Sequence, residues 1–194
     1  MQLVFATHNA HKTDEVRAIL NATPYRVESL ADLDIHEEIP ETGDTFHANA
    51  LQKAFYLYDR LQRPIIADDS GLEVDSLGGA PGVHSKRFSP EATAPHNNAL
   101  LLSKLQAITE RTARFRCVVA VVGLGEPFTV EGSCEGHIAR ALRGEGGFGY
   151  DPLFLPEAIP GRSLAECSAD EKNAISHRGI AFRALADALS RRTA

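Results

Sequence analysis

The chain has 194 residues, 43% of them hydrophobic, and a formal net charge of −6. That length suits one domain with a substantial core, and the acidic balance argues against a nucleic-acid coat or a protein of anionic membrane surfaces. Three cysteines, Cys117, Cys134 and Cys167, are odd in number and lie in no C-x-x-C spacing, which argues against a disulfide framework or structural zinc and for a reducing compartment.

The first residues carry no basic region and too short an apolar run for a signal peptide. No stretch approaches roughly 18 apolar residues, so the expected setting is cytoplasmic, with no membrane and no nucleic acid as partner. In chain order, residues 3–7 read as a buried strand, 8–11 as a polar loop, and 12–20 as a helix with Val16, Ile19 and Leu20 on one face. Residues 25–29 form a second short strand and 34–43 an acidic loop. The pattern over 44–61 is that of an amphipathic helix: Phe46, Ala50, Ala54, Leu57 and Leu61 make one stripe, with Asp44 as the expected N-cap.

Residues 64–68 form a strand, and 78–82 are too rich in Gly and Pro to be regular. Ser89-Pro90-Glu91 predicts a helix start, running to about residue 108. Residues 113–123 and 128–135 predict paired strands, with a third strand over 136–142. A loop with Gly144, Gly146, Gly147 and Gly149 follows, then helices over 169–174 and 176–191. Mixed strands and helices, with neighbouring strands in the middle, predict a single α/β domain over 1–194 on a mixed sheet.

Three groups of residues could carry chemistry. In 65–72 a β-branched apolar run delivers Asp68 and Asp69 into an expected turn with Ser70 and Gly71. Two carboxylates that close shift each other's pKa or recruit a cation, and Mg²⁺ favours one or two carboxylates plus phosphate oxygens. With Glu41 they could form such a site and orient a water; a solvated turn and a solvated acidic loop are the plain alternatives. In Thr7-His8-Asn9-Ala10-His11-Lys12 a strand, a tight loop and a helix opening with Lys12 suit phosphate binding, although this is neither a Walker A loop nor a dinucleotide fingerprint. Its plain alternative is a turn capped by Asn9. Lys53, one helical turn beyond Asn49, could face this site or solvent. In the third group, the glycines around Phe148, Gly149, Tyr150 and Asp151 allow close backbone approach, Phe148 offers a stacking face, and Arg178 after His177 offers planar donors. A structural turn with Phe148 in the core would read the same way.

Taken together, the chain resembles the inosine triphosphate pyrophosphatase family, in particular the bacterial dITP/XTP pyrophosphatases. The resemblance rests on Thr7-x-Asn9-x-x-Lys12, Glu41-Thr42-Gly43 with Phe46, Asn49-Ala50 and Lys53, then Ala67-Asp68-Asp69-Ser70-Gly71-Leu72 and 77–83. It continues with Gly146-Gly147-Phe148-Gly149-Tyr150-Asp151-Pro152 and Glu171-Lys172-x-x-Ile175-Ser176-His177-Arg178. These occur in family order over nearly the whole chain. His8 stands where a Gly is common, and His11 at a variable position.

The resemblance implies Mg²⁺-dependent hydrolysis of ITP, dITP and XTP to the monophosphate and pyrophosphate. It also implies a homodimer, and an elongated mixed sheet flanked by helices in two lobes with a central cleft. By matching positions, Thr7, His8, Asn9, Ala10, His11, Lys12 and Lys53 would hold the triphosphate. Glu41 and Asp69 would hold Mg²⁺, with Asp69 as proton acceptor and Asp68 in support. Ser70 would contact substrate, Phe148 would stack on the base, and Gly149, Tyr150, Asp151, Lys172, His177 and Arg178 would line its pocket. A donor such as Arg178 would favour a 6-carbonyl over the amine of adenine by roughly ten- to a hundredfold, the cost of one unsatisfied buried donor. A pyrophosphatase of pyrimidine triphosphates and a non-hydrolysing nucleotide sensor are the competing readings.

Overall fold

The structure is a computed structural model and describes residues 1–193. Its strands are β1 (Gln2–Phe5), β2 (Arg26–Ser29), β3 (Ile65–Val74), β4 (Thr112–Val122), β5 (Phe128–Ile138) and β6 (Phe154–Pro156). Its α-helices are α1 (Ala10–Leu20), α2 (Phe46–Leu61), α3 (Ala94–Lys104), α4 (Ala169–Ile175) and α5 (His177–Thr193). The strands form one sheet in the order β2-β1-β3-β4-β5-β6. β1 runs parallel to β2 and β3, pairing Val4 with Glu28 and Ile65, whereas β5 and β6 are antiparallel with Ile138 opposite Phe154. The sheet is therefore mixed, as the order of elements predicts. Among the described residues no helix is long and apolar enough to cross a membrane.

The chain divides into two compact units. Among the described residues, the first comprises 1–69, 117–132 and 178–193, and the second 70–116 and 133–177. The core of the first gathers Leu3, Phe5, Val16, Ile66, Val119 and Phe182, with the Phe5 and Phe182 rings edge-on at 5.6 Å. The core of the second gathers Leu72, Leu101, Phe115, Tyr150, Phe154 and Leu164.

Several boundaries differ from the sequence expectation for physical reasons. Thr45, not Asp44, caps α2: its Oγ1 accepts from Ala48 N at 3.1 Å. α1 starts at Ala10, two residues earlier than expected, with Asn9 as its cap. α3 starts at Ala94 rather than after Ser89, because Ala92 is left-handed (φ 52°) and Asn97 Oδ1 takes the Ser89 N–H at 2.7 Å. β3 does not end at Asp68. It runs ten residues to Val74 and is buried almost throughout, so both acids sit inside a strand rather than in a turn. β5 continues through the point where a third strand was expected. Gly136 permits this, since a Cβ there would meet Leu155 O and come within 2.7 Å of the Phe154 ring. The alternation of exposed Ser133, Glu135 and His137 with buried Cys134, Gly136 and Ile138 is the pattern of one continuous strand.

Candidate functional site

The first unit collects a largely buried cluster of charge. Asp68 is fully buried in β3, and Lys12 Nζ donates to both of its oxygens at 3.0 and 2.8 Å. Arg178, at the start of α5 and equally buried, places Nε 3.7 Å from Asp68 Oδ2 and donates to Glu15 Oε2 at 2.5 Å. Burial alone would push the Asp68 carboxyl up, but Lys12, Arg178 and Lys53 outweigh it and hold it far below the ordinary carboxylate range. Asp68 is thus a fixed anion.

Its neighbour Asp69 differs. Burial dominates there and raises its pKa above 3.8, against the opposing pull of Lys53 and the Asn49 hydrogen bond (Nδ2 to Oδ2, 3.0 Å). Adjacent residues of one strand point to opposite faces, so these two carboxylates meet different surroundings. One is kept charged; the other is poised nearer the point of taking up a proton.

Lys53 joins the set from α2, where it is 4% exposed. Its ammonium donates to Glu41 Oε1 at 2.5 Å and to the Asp68 carbonyl at 2.6 Å, and lies 3.9 Å from Asp69 Oδ1. Burial opposes its charge, yet Asp68, Asp69 and Glu41 raise its pKa above 10.5, so it stays an ammonium. Burial likewise opposes the charge of Glu41, but Lys53 lowers its pKa. The loop carrying Glu41 is held by the polar face of α2. Gly43 N donates to Asn49 Oδ1 at 2.7 Å and Thr42 N to Gln52 Oε1 at 2.9 Å. Glu41 and Asp69 therefore converge on one cation from separate segments.

At the start of α1, Thr7 Oγ1 accepts from Asn9 N at 3.2 Å, and Asn9 Oδ1 accepts from Lys12 N at 3.2 Å. The turn capped by Asn9 and the cationic loop turn out to be the same structure. His8 is exposed and bonds through Nε2 to Glu37 O at 2.8 Å; Ala10 and His11 are exposed. Ser70 follows Asp69 within β3 and is half-buried.

The fit of this set to Mg²⁺ can be judged from its donors. Among the described residues no group of three or more His, Cys, Asp or Glu could hold a metal ion. Two hard carboxylates meeting at one point match the mode in which Mg²⁺ takes one or two carboxylates and completes its shell with phosphate and water oxygens. The residues fit that mode and not an all-protein cage.

The second unit carries the other cluster. Asp151 Oδ2 accepts from Lys172 Nζ at 2.7 Å and from Phe148 N at 2.8 Å, and Lys172 Nζ lies 4.5 Å from the centre of the Phe148 ring. Lys172 is presented by α4, whose first turn is fixed by a reciprocal cap: Ser168 Oγ accepts from Glu171 N and Glu171 from Ser168 N. Gly147 has φ 69°, and a Cβ there would drive into the Asp151 carboxylate. Phe148 and Gly149 are half-buried, and the Tyr150 hydroxyl donates to Ser85 O at 2.9 Å, so Tyr150 reads as a core residue holding the loop. His177 is buried, its ring stacked on Phe115 at 4.7 Å and 13°.

Arg178, which the resemblance assigns to the base pocket, has partners of its own in the structure. Its guanidinium is engaged by Glu15 and Asp68, within the charge cluster of the first unit. Sequence reasoning gave no role to Glu15 and did not place Asn49 among the site residues. Asn49 was readable as i, i+4 from Lys53, and Glu15 as i, i+3 from Lys12.

The model of the Ham1 family matches residues 3–188. A Bacillus subtilis protein named dITP/XTP pyrophosphatase is 46% identical over 97% of this chain and 96% of its own. A Geobacillus kaustophilus protein of the same name is 49% identical over 95% of this chain and 92% of its own. The solved structure of a HAM1 protein from Coxiella burnetii superposes with a TM-score of 0.87 at 37% identity, covering 98% of this chain and 99% of that one.

Proposed function

Because the chain belongs to the Ham1 family, its activity is that of a nucleoside triphosphate pyrophosphatase, and we propose that it hydrolyses ITP, dITP and XTP between the α and β phosphates. The observation that carries this reading is the meeting of Glu41 and Asp69 on Lys53, beside a Lys12 held by Asp68. A triphosphate brings about four negative charges, and phosphoryl transfer depends mainly on positioning and on neutralising charge as it develops.

The roles follow from the geometry. Lys12 leaves one anion, Asp68, for another, the phosphate chain, and the positive end of the α1 dipole adds to the attraction. Arg178 stays behind to neutralise Asp68. Asp69, its pKa raised by burial, accepts the proton of the attacking water. Lys53 keeps Glu41 and Asp69 from repelling each other and stands ready to contact phosphate. Mg²⁺ held by Glu41 and Asp69 would supply further neutralisation of the phosphate oxygens. In the second unit Phe148 is the proposed stacking platform. The Lys172 ammonium and the Asp151 carboxylate beside it are the proposed readers of the purine edge, with His177 next to them in role.

A second copy of the chain is the proposed partner, and the nucleotide pool of the cytoplasm the proposed setting. Light scattering that returns the monomer mass at all concentrations refutes the dimer. The activity is tested by incubating the protein with ITP, XTP, dITP, ATP, dGTP and dUTP, with Mg²⁺ or with EDTA, and measuring released pyrophosphate. Turnover of the first three, abolished by EDTA, is expected. Hydrolysis of dUTP without ITP, or release of orthophosphate instead of pyrophosphate, overturns the reading.

A further inference from the structure

The loop that presents Phe148 passes twice through left-handed backbone, at Gly147 (φ 69°) and Gly149 (φ 63°). Asp151 closes it on one side by accepting the Phe148 N–H at 2.8 Å, and the Lys172 ammonium covers the ring at 4.5 Å. Its next peptide is held from α3. Asn98, 5% exposed, donates through Nδ2 to Gly149 O at 3.0 Å. A carbonyl oxygen only accepts, so the amide must turn its nitrogen to Gly149. That choice leaves Asn98 Oδ1 buried with no hydrogen bond.

Buried amide oxygens without a donor are destabilising and scarce in folded proteins. A leucine, with the same branching and no polar atom, would carry no such oxygen. The neighbouring Asn97 shows what a purely structural asparagine looks like here. Its Oδ1 accepts from Ser89 N at 2.7 Å, and its Nδ2 donates to Ser85 O and Lys86 O at 3.3 and 3.1 Å. Both ends of that amide fasten the segment before α3. Asn98 uses one end only, and that end fastens the loop of Phe148.

We infer that Asn98 is a positioning residue for the stacking platform: its amide fixes the Gly149 carbonyl and, through the Phe148–Gly149 peptide, the direction of the Phe148 ring. This rests on the proposed reading of Phe148 as the surface on which the purine stacks. A stable but mispositioned platform weakens binding of the base and leaves the phosphate chemistry alone. The signature is therefore a raised KM at nearly constant kcat.

The test compares Asn98→Leu, Asn98→Asp and Phe148→Leu with the parent protein, using ITP hydrolysis in Mg²⁺ and thermal melting. For Asn98→Leu, KM is expected to rise about tenfold, equivalent to about 1.4 kcal/mol, with kcat within about twofold. Its Tm is expected to stay close to the parent's, because the unsatisfied oxygen is gone while Gly149 O loses a donor. Asn98→Asp keeps the shape but sets a carboxylate against Gly149 O, so KM rises and Tm falls. Parental KM in Asn98→Leu, or a loss of kcat equal to the change in KM together with a lowered Tm, overturns the proposal. Phe148→Leu separates the two levels. Parental KM there removes the platform and this inference with it, whereas a raised KM there beside parental KM in Asn98→Leu removes only the role of Asn98. If Asn98→Leu fails to fold, Asn98→Ala carries the same comparison.

Discussion

Asp68 and Asp69 are chain neighbours of the same chemical type, yet the structure predicts opposite outcomes for removing their charges. Asp68→Asn keeps the side chain's shape and deletes the anion held by two Lys12 bonds at 3.0 and 2.8 Å and by Arg178 at 3.7 Å. Removing one partner from a buried ion pair costs about 3–5 kcal/mol. Lys12 is 16% exposed and can turn to water, and Arg178 retains Glu15, so the lower end, about 3 kcal/mol, applies. At roughly 2–4 °C per kcal/mol for a chain of this size, Tm should fall by roughly 6–12 °C. Asp69→Asn removes a charge that burial already opposes, so its stability should stay within about 1 kcal/mol of the parent. Its turnover should nonetheless drop roughly 10²- to 10⁴-fold, the usual worth of a general base. Urea unfolding and pyrophosphate release on the two variants supply both numbers. An Asp68→Asn protein as stable as the parent, or an Asp69→Asn protein that is the less stable of the two, would refute the division of labour.

Further outcomes are expected. In the protein without Mg²⁺, burial holds the Asp69 carboxyl above the ordinary 3.8, so an NMR titration in EDTA should find it ionising above that value. Asn49→Leu deletes a hydrogen bond that lowers this pKa, and a titration that fails to move to still higher pH contradicts the assignment. Stability should respond differently: the pKa of Asp68 is depressed by folding, so its contribution is complete above pH 3.8 and is lost only as pH falls further, through the folded value. Gly147→Ala should raise KM for ITP and cost roughly 1–3 kcal/mol, through its left-handed φ and the collision with Asp151. Gly149→Ala, equally left-handed but with nothing within 4 Å of the added Cβ, should cost less; equal Tm values for the two would show that Asp151 does not depend on the space at Gly147.

Much of the fold was legible because its elements are locally consistent. The apolar stripe of α2, the polar turn that Asn9 caps, and the glycines around Phe148 each need only a few neighbouring residues to declare themselves. The errors fell where a distant partner decides. β3 passes through Asp68 and Asp69 without a turn because Lys12, Lys53 and Arg178, far away in the chain, make buried carboxylates tolerable there. β5 does not break at Gly136 because β6 lies against that glycine, and α3 starts late because a side chain within it captures Ser89. The Ser168-x-x-Glu171 cap that presents Lys172 was readable and went unread.

The sequence by itself determined which residue types were available for the chemistry: acids, lysines, an arginine and an aromatic, in an order shared with a known family. Only the tertiary structure decided which acid is a locked anion and which is poised to take a proton, because that depends on burial and on partners as distant in the chain as Arg178 is from Asp68. It also decided that Arg178 neutralises Asp68, a role that no local pattern around residue 178 encodes. Charge interactions act through space and dielectric surroundings, and a linear pattern carries neither.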